Sequence, residues 1–267
     1  MKKYTTPHFY TSDKMRKFEC ILSLRSAMKK SLSTLCALLL LVLLPSARAQ
    51  TSQSVRTIQS GHLYGVDASS GFDVTLKQGG SSHAEIRIDS CLEPYLTVEV
   101  RNGILHLGLH NVPQELQRQL MHKTVRQADI TLNALQHLDV HSGTRVVGEG
   151  SFTTEECTID VHSGATVESI DLQATTVKLL VRSGASATLS GKTHTLDVST
   201  SSGASADVTN LSAVQVNAKA SSGSGIRCWP TESLNAEASS GASIRFKGGV
   251  LHNSRLHSSS GGSIKGL

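Results

Sequence analysis

Two sets of side chains have the type and spacing to do chemistry. Asp139 and Asp160 lie 21 residues apart in matching LDV and IDV contexts, and Asp197 precedes Val198 in the same way. On adjacent strands of a sheet such carboxylates would stand ~4.8 Å apart. Acid–base cleavage of a polysaccharide needs two or three close acids with different proton affinities. The next repeat carries Leu180 at that position, and no Arg/Lys/Asp cluster or aromatic sugar platform accompanies the row. A solvated outer face with mild like-charge repulsion is the expectation. His141 and His162 are also 21 apart, so their imidazoles should be neighbours. A zinc site needs more than two ligands, the spacing offers no third, and Arg182 continues the row with the wrong charge. Surface histidines are expected.

Other reactive patterns fail more simply. There is no Gly-x-Ser-x-Gly elbow for a nucleophilic serine, and no row of aspartates in a Gly-Gly-x-Gly-x-Asp calcium repeat. Trp229, the sole tryptophan, stands between Cys228 and Pro230 and is expected to plug a wide loop. No catalytic, cofactor-binding or metal-binding residue is assigned, and no cofactor is expected.

The elements that would position these residues form an array. Ser-Gly pairs recur with glycines at Gly143, Gly164, Gly184, Gly203, Gly223, Gly241 and Gly261, at intervals of 21, 20, 19, 20, 18 and 20 residues. Apolar residues alternate before each pair, as in Leu138/Val140, Ile159/Val161, Leu179/Val181, Leu196/Val198 and Val214/Val216. That period of two belongs to half-buried strands. A second short alternation often follows, as in Ala165/Val167 and Ala204/Ala206/Val208. Two short strands and two corners in ~20 residues make one rung of a β-solenoid, whose stacked rungs share one core. Glycine supplies the tight corner or positive φ, and the serines could form a hydroxyl ladder along one edge.

The segment before the array is related. Val66-Asp67-Ala68-Ser69-Ser70-Gly71 carries one more Ser-Gly between alternations. Asn102-Gly103 separates two alternating runs and predicts a two-residue hairpin turn. Pro113 to Val125 is the one helical pattern, with Pro first and Leu116/Leu120 four apart.

The first 49 residues read as a leader. Met28-Lys29-Lys30, the apolar run Leu35–Leu44 and the small-x-small site Ala47-Arg48-Ala49 have the order of a secretory signal peptide, with Met28 as the expected start and cleavage after Ala49. The apolar run of ~10 residues is too short to span a bilayer. Of 26 Lys+Arg and 21 Asp+Glu in the chain, nine and two fall in residues 1–49, leaving 17 basic against 19 acidic. The basic pI is therefore a property of the leader, and nucleic-acid binding loses its compositional support. Three cysteines remain after the leader, Cys91, Cys157 and Cys228, isolated and odd in number. One disulfide is possible; three buried or half-buried thiols are favoured.

The runs VDASSGFDVTLKQG and LTVEVRNGILHLGL, followed by serial L-x-V-x-x-SG-A/S repeats, resemble the putative auto-transporter adhesin, head GIN domain family of Bacteroidetes envelope proteins. The resemblance covers about Thr57 to Leu267. It implies an all-β, single-stranded parallel β-helix or β-solenoid, right-handed, with ~20-residue rungs, and no active-site residues. Pro113 to Arg126 departs from it by being more helical. The expected organisation is a leader at 1–49, a linker at 50–56 and one domain at 57–267, with N-terminal strands to 135 and Ser-Gly repeats from 136. The expected function is non-enzymatic: an exported protein, periplasmic, outer-membrane-associated or extracellular, binding an unidentified protein or glycan. A polysaccharide-acting β-helix enzyme and a periplasmic envelope-stress scaffold or sensor are the alternatives.

Overall fold

A computed structural model describes residues 53–119, 124–248 and 252–267. The expected signal peptide, with its start at Met28 and its cleavage after Ala49, lies outside them. Among the described residues, no helix is long and apolar enough to cross a membrane.

The array folds as a β-solenoid of about six turns. Its rungs begin with β2 (Gly65–Ala68) and β3 (Asp73–Gln78), continue through β8 (His137–Val140) and β9 (Arg145–Glu149), and lengthen into β10 (Ser151–Val161), β11 (Thr166–Arg182), β12 (Ser186–Ser201), β13 (Ser205–Ala220) and β14 (Gly225–Ala238). The C-terminal end of the stack is made by β15 (Ser243–Phe246), β16 (Asn253–Ser258) and, one rung on from β15, β17 (Ser263–Gly266). Two parallel ladders run the length of the stack. Ahead of the Ser-Gly corner the order is β2, β8, β10, β11, β12, β13, β14, β16. Behind it, β3, β9 and β11 lead through β12, β13 and β14 to β15 and β17.

The first rung is joined to the second by a long excursion, residues 79–136, that closes the N-terminal end. It comprises β4 (Ser82–Asp89), β5 (Leu96–Arg101), β6 (Ile104–Leu109), the six-residue helix α1 (Gln114–Gln119) and β7 (Arg126–Leu132). Strand β6 pairs parallel with β2, and β7 with β3, extending both ladders by one strand. Antiparallel strands then finish the end: β5 on β6, turning at Asn102-Gly103 as expected, and β4 on β7. The opening strand β1 (Gln53–Ser60) pairs with β4 and begins four residues ahead of the expected domain start.

One inward row shows why this sequence stacks. Leu138, Ile159, Leu179, Val198, Ala218 and Ala236 are successive partners across the ladders, and all are buried. Burying a large aliphatic side chain stabilises by ~1.5–3 kcal/mol, so the early rungs are held more strongly by packing. The later rungs substitute alanine and rely more on the backbone ladder. At the far end Leu256 continues the row but is 48% exposed.

The register also corrects one alignment. In LDVSTSSG two extra residues precede the corner, so Val198 pairs with Leu179 and Leu196 with Val177. In the following rung Val216, Ala218 and Ala220 point inward, while Val214 is only half-buried.

Candidate functional site

Each repeat corner is a two-residue turn whose Ser and Gly both have positive φ. The serines Ser142, Ser163, Ser183, Ser202, Ser222, Ser240 and Ser260 lie at 48° to 56°, and their glycines at 68° to 78°. That is the backbone of a type I′ turn, which needs the left-handed region at both central residues. The amide two residues past each Ser donates back across the turn, for example Ala165 N to the His162 carbonyl at 3.2 Å. The corners then bond to one another through the backbone. Each Gly N–H from Gly143 to Gly241 donates to the Ser carbonyl of the next rung at 3.0–3.2 Å. The ladder expected of the serine hydroxyls is thus a peptide ladder. At its N-terminal end Arg126 Nη1 donates to the Ser70 carbonyl at 2.6 Å.

Immediately before the corners, the outward residues of the first rungs form a mixed acid–base cluster. Asp67, Asp139 and Asp160 are consecutive partners across β2, β8 and β10, with His106 of β6 beside Asp67 and Leu180 of β11 beyond Asp160. The next outward row carries His141, His162 and Arg182. Each of these leans back one rung. His141 Nε2 is 3.6 Å from Asp67 Oδ1, His162 Nε2 is 3.5 Å from Asp139 Oδ1, and Arg182 Nη2 is 2.7 Å from Asp160 Oδ2. His106 Nδ1 completes the set at 2.9 Å from Asp67 Oδ2. The rings of His141 and His162 stack at 4.9 Å and 3°. Their orientation comes from the corner, because Nδ1 of each lies within 3.0 Å of the hydroxyl of its following serine, Ser142 or Ser163.

The electrostatics follow from three acids on neighbouring strands. Burial pushes the Asp139 carboxyl above its ordinary value, and the charges of Asp160 and Asp67 push it further; His162 and His141 pull it back. Oδ1 of Asp139 and of Asp160 is buried and accepts no hydrogen bond. This differs from the expected solvated face: the side chains of Asp139 and Asp160 are only 31% and 20% exposed.

The two histidines are neighbours, as the spacing predicted, and Leu180 does interrupt the acid row. What the spacing missed is Asp67, which brings a further ligand-type group within reach. Asp67, Asp139 and His141 each offer one donor atom, all within 4.8 Å of one another. Asp197 lies elsewhere: its partners are Lys178 and Asn217, and it accepts from Asn217 Nδ2 at 2.7 Å.

Farther along, the same outward rows lose their aspartates and histidines. Leu180, Ser199 and Lys219 continue the acid row, and Arg182, Ser201 and Ser221 the histidine row. Between them lies a shallow trough of about 390 Å³. Trp229 is half-buried, with Lys247 Nζ 4.0 Å from its ring centroid, as a packed residue under a cation. Among the described residues, Cys91, Cys157 and Cys228 are free; Cys157 and Cys228 are buried, whereas Cys91 is exposed, contrary to expectation.

A family model described as "Putative auto-transporter adhesin, head GIN domain" matches residues 62–249. Among solved structures, the fold is similar to a putative adhesin from Bacteroides fragilis NCTC 9343, at 19% identity and TM-score 0.73, over 82% of this chain and 98% of that one. A putative adhesin from Parabacteroides merdae ATCC 43184 matches at 15% identity and TM-score 0.61, over 82% and 97%. A putative lipid binding protein from Parabacteroides distasonis ATCC 8503 matches at 14% identity and TM-score 0.62, over 82% and 98%. These identities carry the fold alone. No curated protein matches the sequence.

Proposed function

This chain belongs to the head GIN domain family, and on that premise we propose that it is an exported, non-enzymatic binding protein that engages a protein or glycan along the outer face of its solenoid. The observation that carries this reading is the trough beside the corners of β11 to β14. Solenoids bind through extended surfaces built from repeated outward rows. Here Leu180 offers an apolar contact, 37% exposed, at the head of the trough. Ser199, Ser201, Ser221 and Ser239 line it, and Arg182, Lys219 and Glu237 add charge to the lining. Such a surface suits a polar, elongated partner.

Two measurements test it. Protease added to intact cells should cleave the protein; survival until the envelope is opened overturns surface adhesion and favours a periplasmic scaffold. Purified protein should bind a component of a glycan and matrix-protein array, and Ser201→Arg with Ser221→Arg should abolish that binding without unfolding the protein. Binding that survives this blockade, or binding only to phospholipid vesicles, overturns the reading.

A further inference from the structure

The Asp/His cluster at the N-terminal rungs lies outside the trough and has the geometry of a metal site. We propose that His141, Asp67 and Asp139 bind one zinc-class divalent cation through His141 Nε2 and one carboxylate oxygen from each aspartate.

The distances favour a cation over direct hydrogen bonding. His141 Nε2 and Asp67 Oδ1 are 3.6 Å apart, too far for a hydrogen bond. Ligands held at ~2.0–2.1 Å around a tetrahedral ion lie ~3.4 Å from each other, so a small closure completes the shell. All three donor atoms already lie within 4.8 Å of one another.

Orientation is fixed from behind. The Ser142 hydroxyl lies 2.9 Å from His141 Nδ1 and leaves Nε2 facing the carboxylates. Holding the second nitrogen of a ligating imidazole in this way sets ring orientation at metal centres. Because Ser142 is locked in the turn at φ 55°, the backbone itself places this supporting group.

Charge completes the case. Asp160 is paired with Arg182 at 2.7 Å, which leaves the carboxylates of Asp67 and Asp139 facing only the imidazoles of His106, His141 and His162. A divalent cation balances that pair. It would also relieve Asp139, whose Oδ1 is buried without a hydrogen-bond partner. Mixed imidazole and carboxylate donors select zinc, cobalt, nickel or copper over calcium and magnesium, which prefer all-oxygen shells. The side chains of Asp67 and His141 are 32% and 31% exposed, giving an entry path and a fourth position open to water.

The test uses the protein from residue 50 to 267, stripped with EDTA and titrated with zinc against a chromophoric chelator. One equivalent should bind, undisplaced by a hundredfold excess of calcium or magnesium. Asp67→Asn and His141→Gln should each weaken binding at least about tenfold, since loss of even an outer-shell partner costs 10–100-fold. His257→Gln, at the far end of the aspartate row, should leave binding unchanged. Zinc should raise the melting temperature of the parent protein but not of His141→Gln, and the metal-free melting curves of both variants report that they fold. Absence of uptake at micromolar zinc, uptake insensitive to both substitutions, or equal competition by calcium overturns the proposal. So do histidine NMR signals that move with pH but not with zinc.

Discussion

Asp139 and Asp160 are direct partners in adjacent parallel strands, and the Oδ1 of each is buried with no hydrogen-bond partner. Desolvation and mutual repulsion therefore act on Asp139 together, and its carboxyl holds a proton more tightly in the folded chain than the ordinary 3.8. An acid raised in this way contributes stability at low pH that is lost as pH climbs from 3.8 through the higher folded value. In metal-free protein at pH 7, Asp139→Asn should therefore raise stability by about 0.2–1 kcal/mol, the scale of a like-charged cross-strand pair. Urea denaturation at pH 7 and pH 3 checks it: the gain should vanish in acid, and a lower midpoint at pH 7 would refute the account. With zinc present the order should reverse, because the variant loses a ligand.

The corners predict opposite effects for the two members of a Ser-Gly pair. A Cβ added at Gly164 meets nothing within 4 Å, so Gly164→Ala is charged only for φ 71°. That backbone conformation costs about 1–2 kcal/mol with a side chain. Ser183 already bears this strain at φ 56°, and Asn tolerates the left-handed region better. Ser183→Asn should thus stabilise, by a few tenths to about 1 kcal/mol. Gly191 gives the contrast, since its φ is 111° and a Cβ would collide with the Leu172 carbonyl oxygen of the preceding rung. Gly191→Ala should add an overpacking cost of about 1–3 kcal/mol to the backbone term. Thermal melts of the three variants should rank Ser183→Asn above parent, parent above Gly164→Ala, and Gly191→Ala last.

Thiol chemistry should separate the cysteines cleanly. Burial pushes Cys157 and Cys228 up to about 12, while Cys91 is exposed. In protein spanning residues 50 to 267, Ellman's reagent at pH 8 should titrate one thiol rapidly in the native state and three after unfolding in urea. A folded thiol pKa above the unfolded 9.0 also means that the unfolded chain loses its proton first. Stability is therefore intact below pH 9 and declines above it, by about 1.4 kcal/mol per pH unit for each thiol until the folded value is reached. Replacing both by serine would instead bury unpaired hydroxyls; Cys157→Ala with Cys228→Ala should flatten the alkaline slope.

The repeat was legible because its corner leaves a mark at every turn, and the hairpin because Asn-Gly names its own backbone. The cluster was only half legible. His141 and His162 are one interval apart in both sequence and space, whereas Asp67 precedes Asp139 by an excursion of most of the N-terminal strands. Strand pairing, not spacing, makes them neighbours. Asp197 misled for the converse reason: its local text matches Asp139, but two residues added before the corner move it to another row. The serine conformation was hidden because type I′ turns advertise themselves with asparagine, and the exposure of Cys91 because a lone cysteine carries no period.

The peptide ladder through the corners also gives the molecule a direction under load. The N-terminal end is sealed by antiparallel strands and by Arg126 on the Ser70 carbonyl, while at the other end every residue of β16 is exposed. A tether pulled from Leu267 would meet the weakest rung first and peel the stack in order, each ~20-residue turn releasing ~66–72 Å of chain. An extended protein of this design would yield in steps, absorbing work while its sealed end stayed folded.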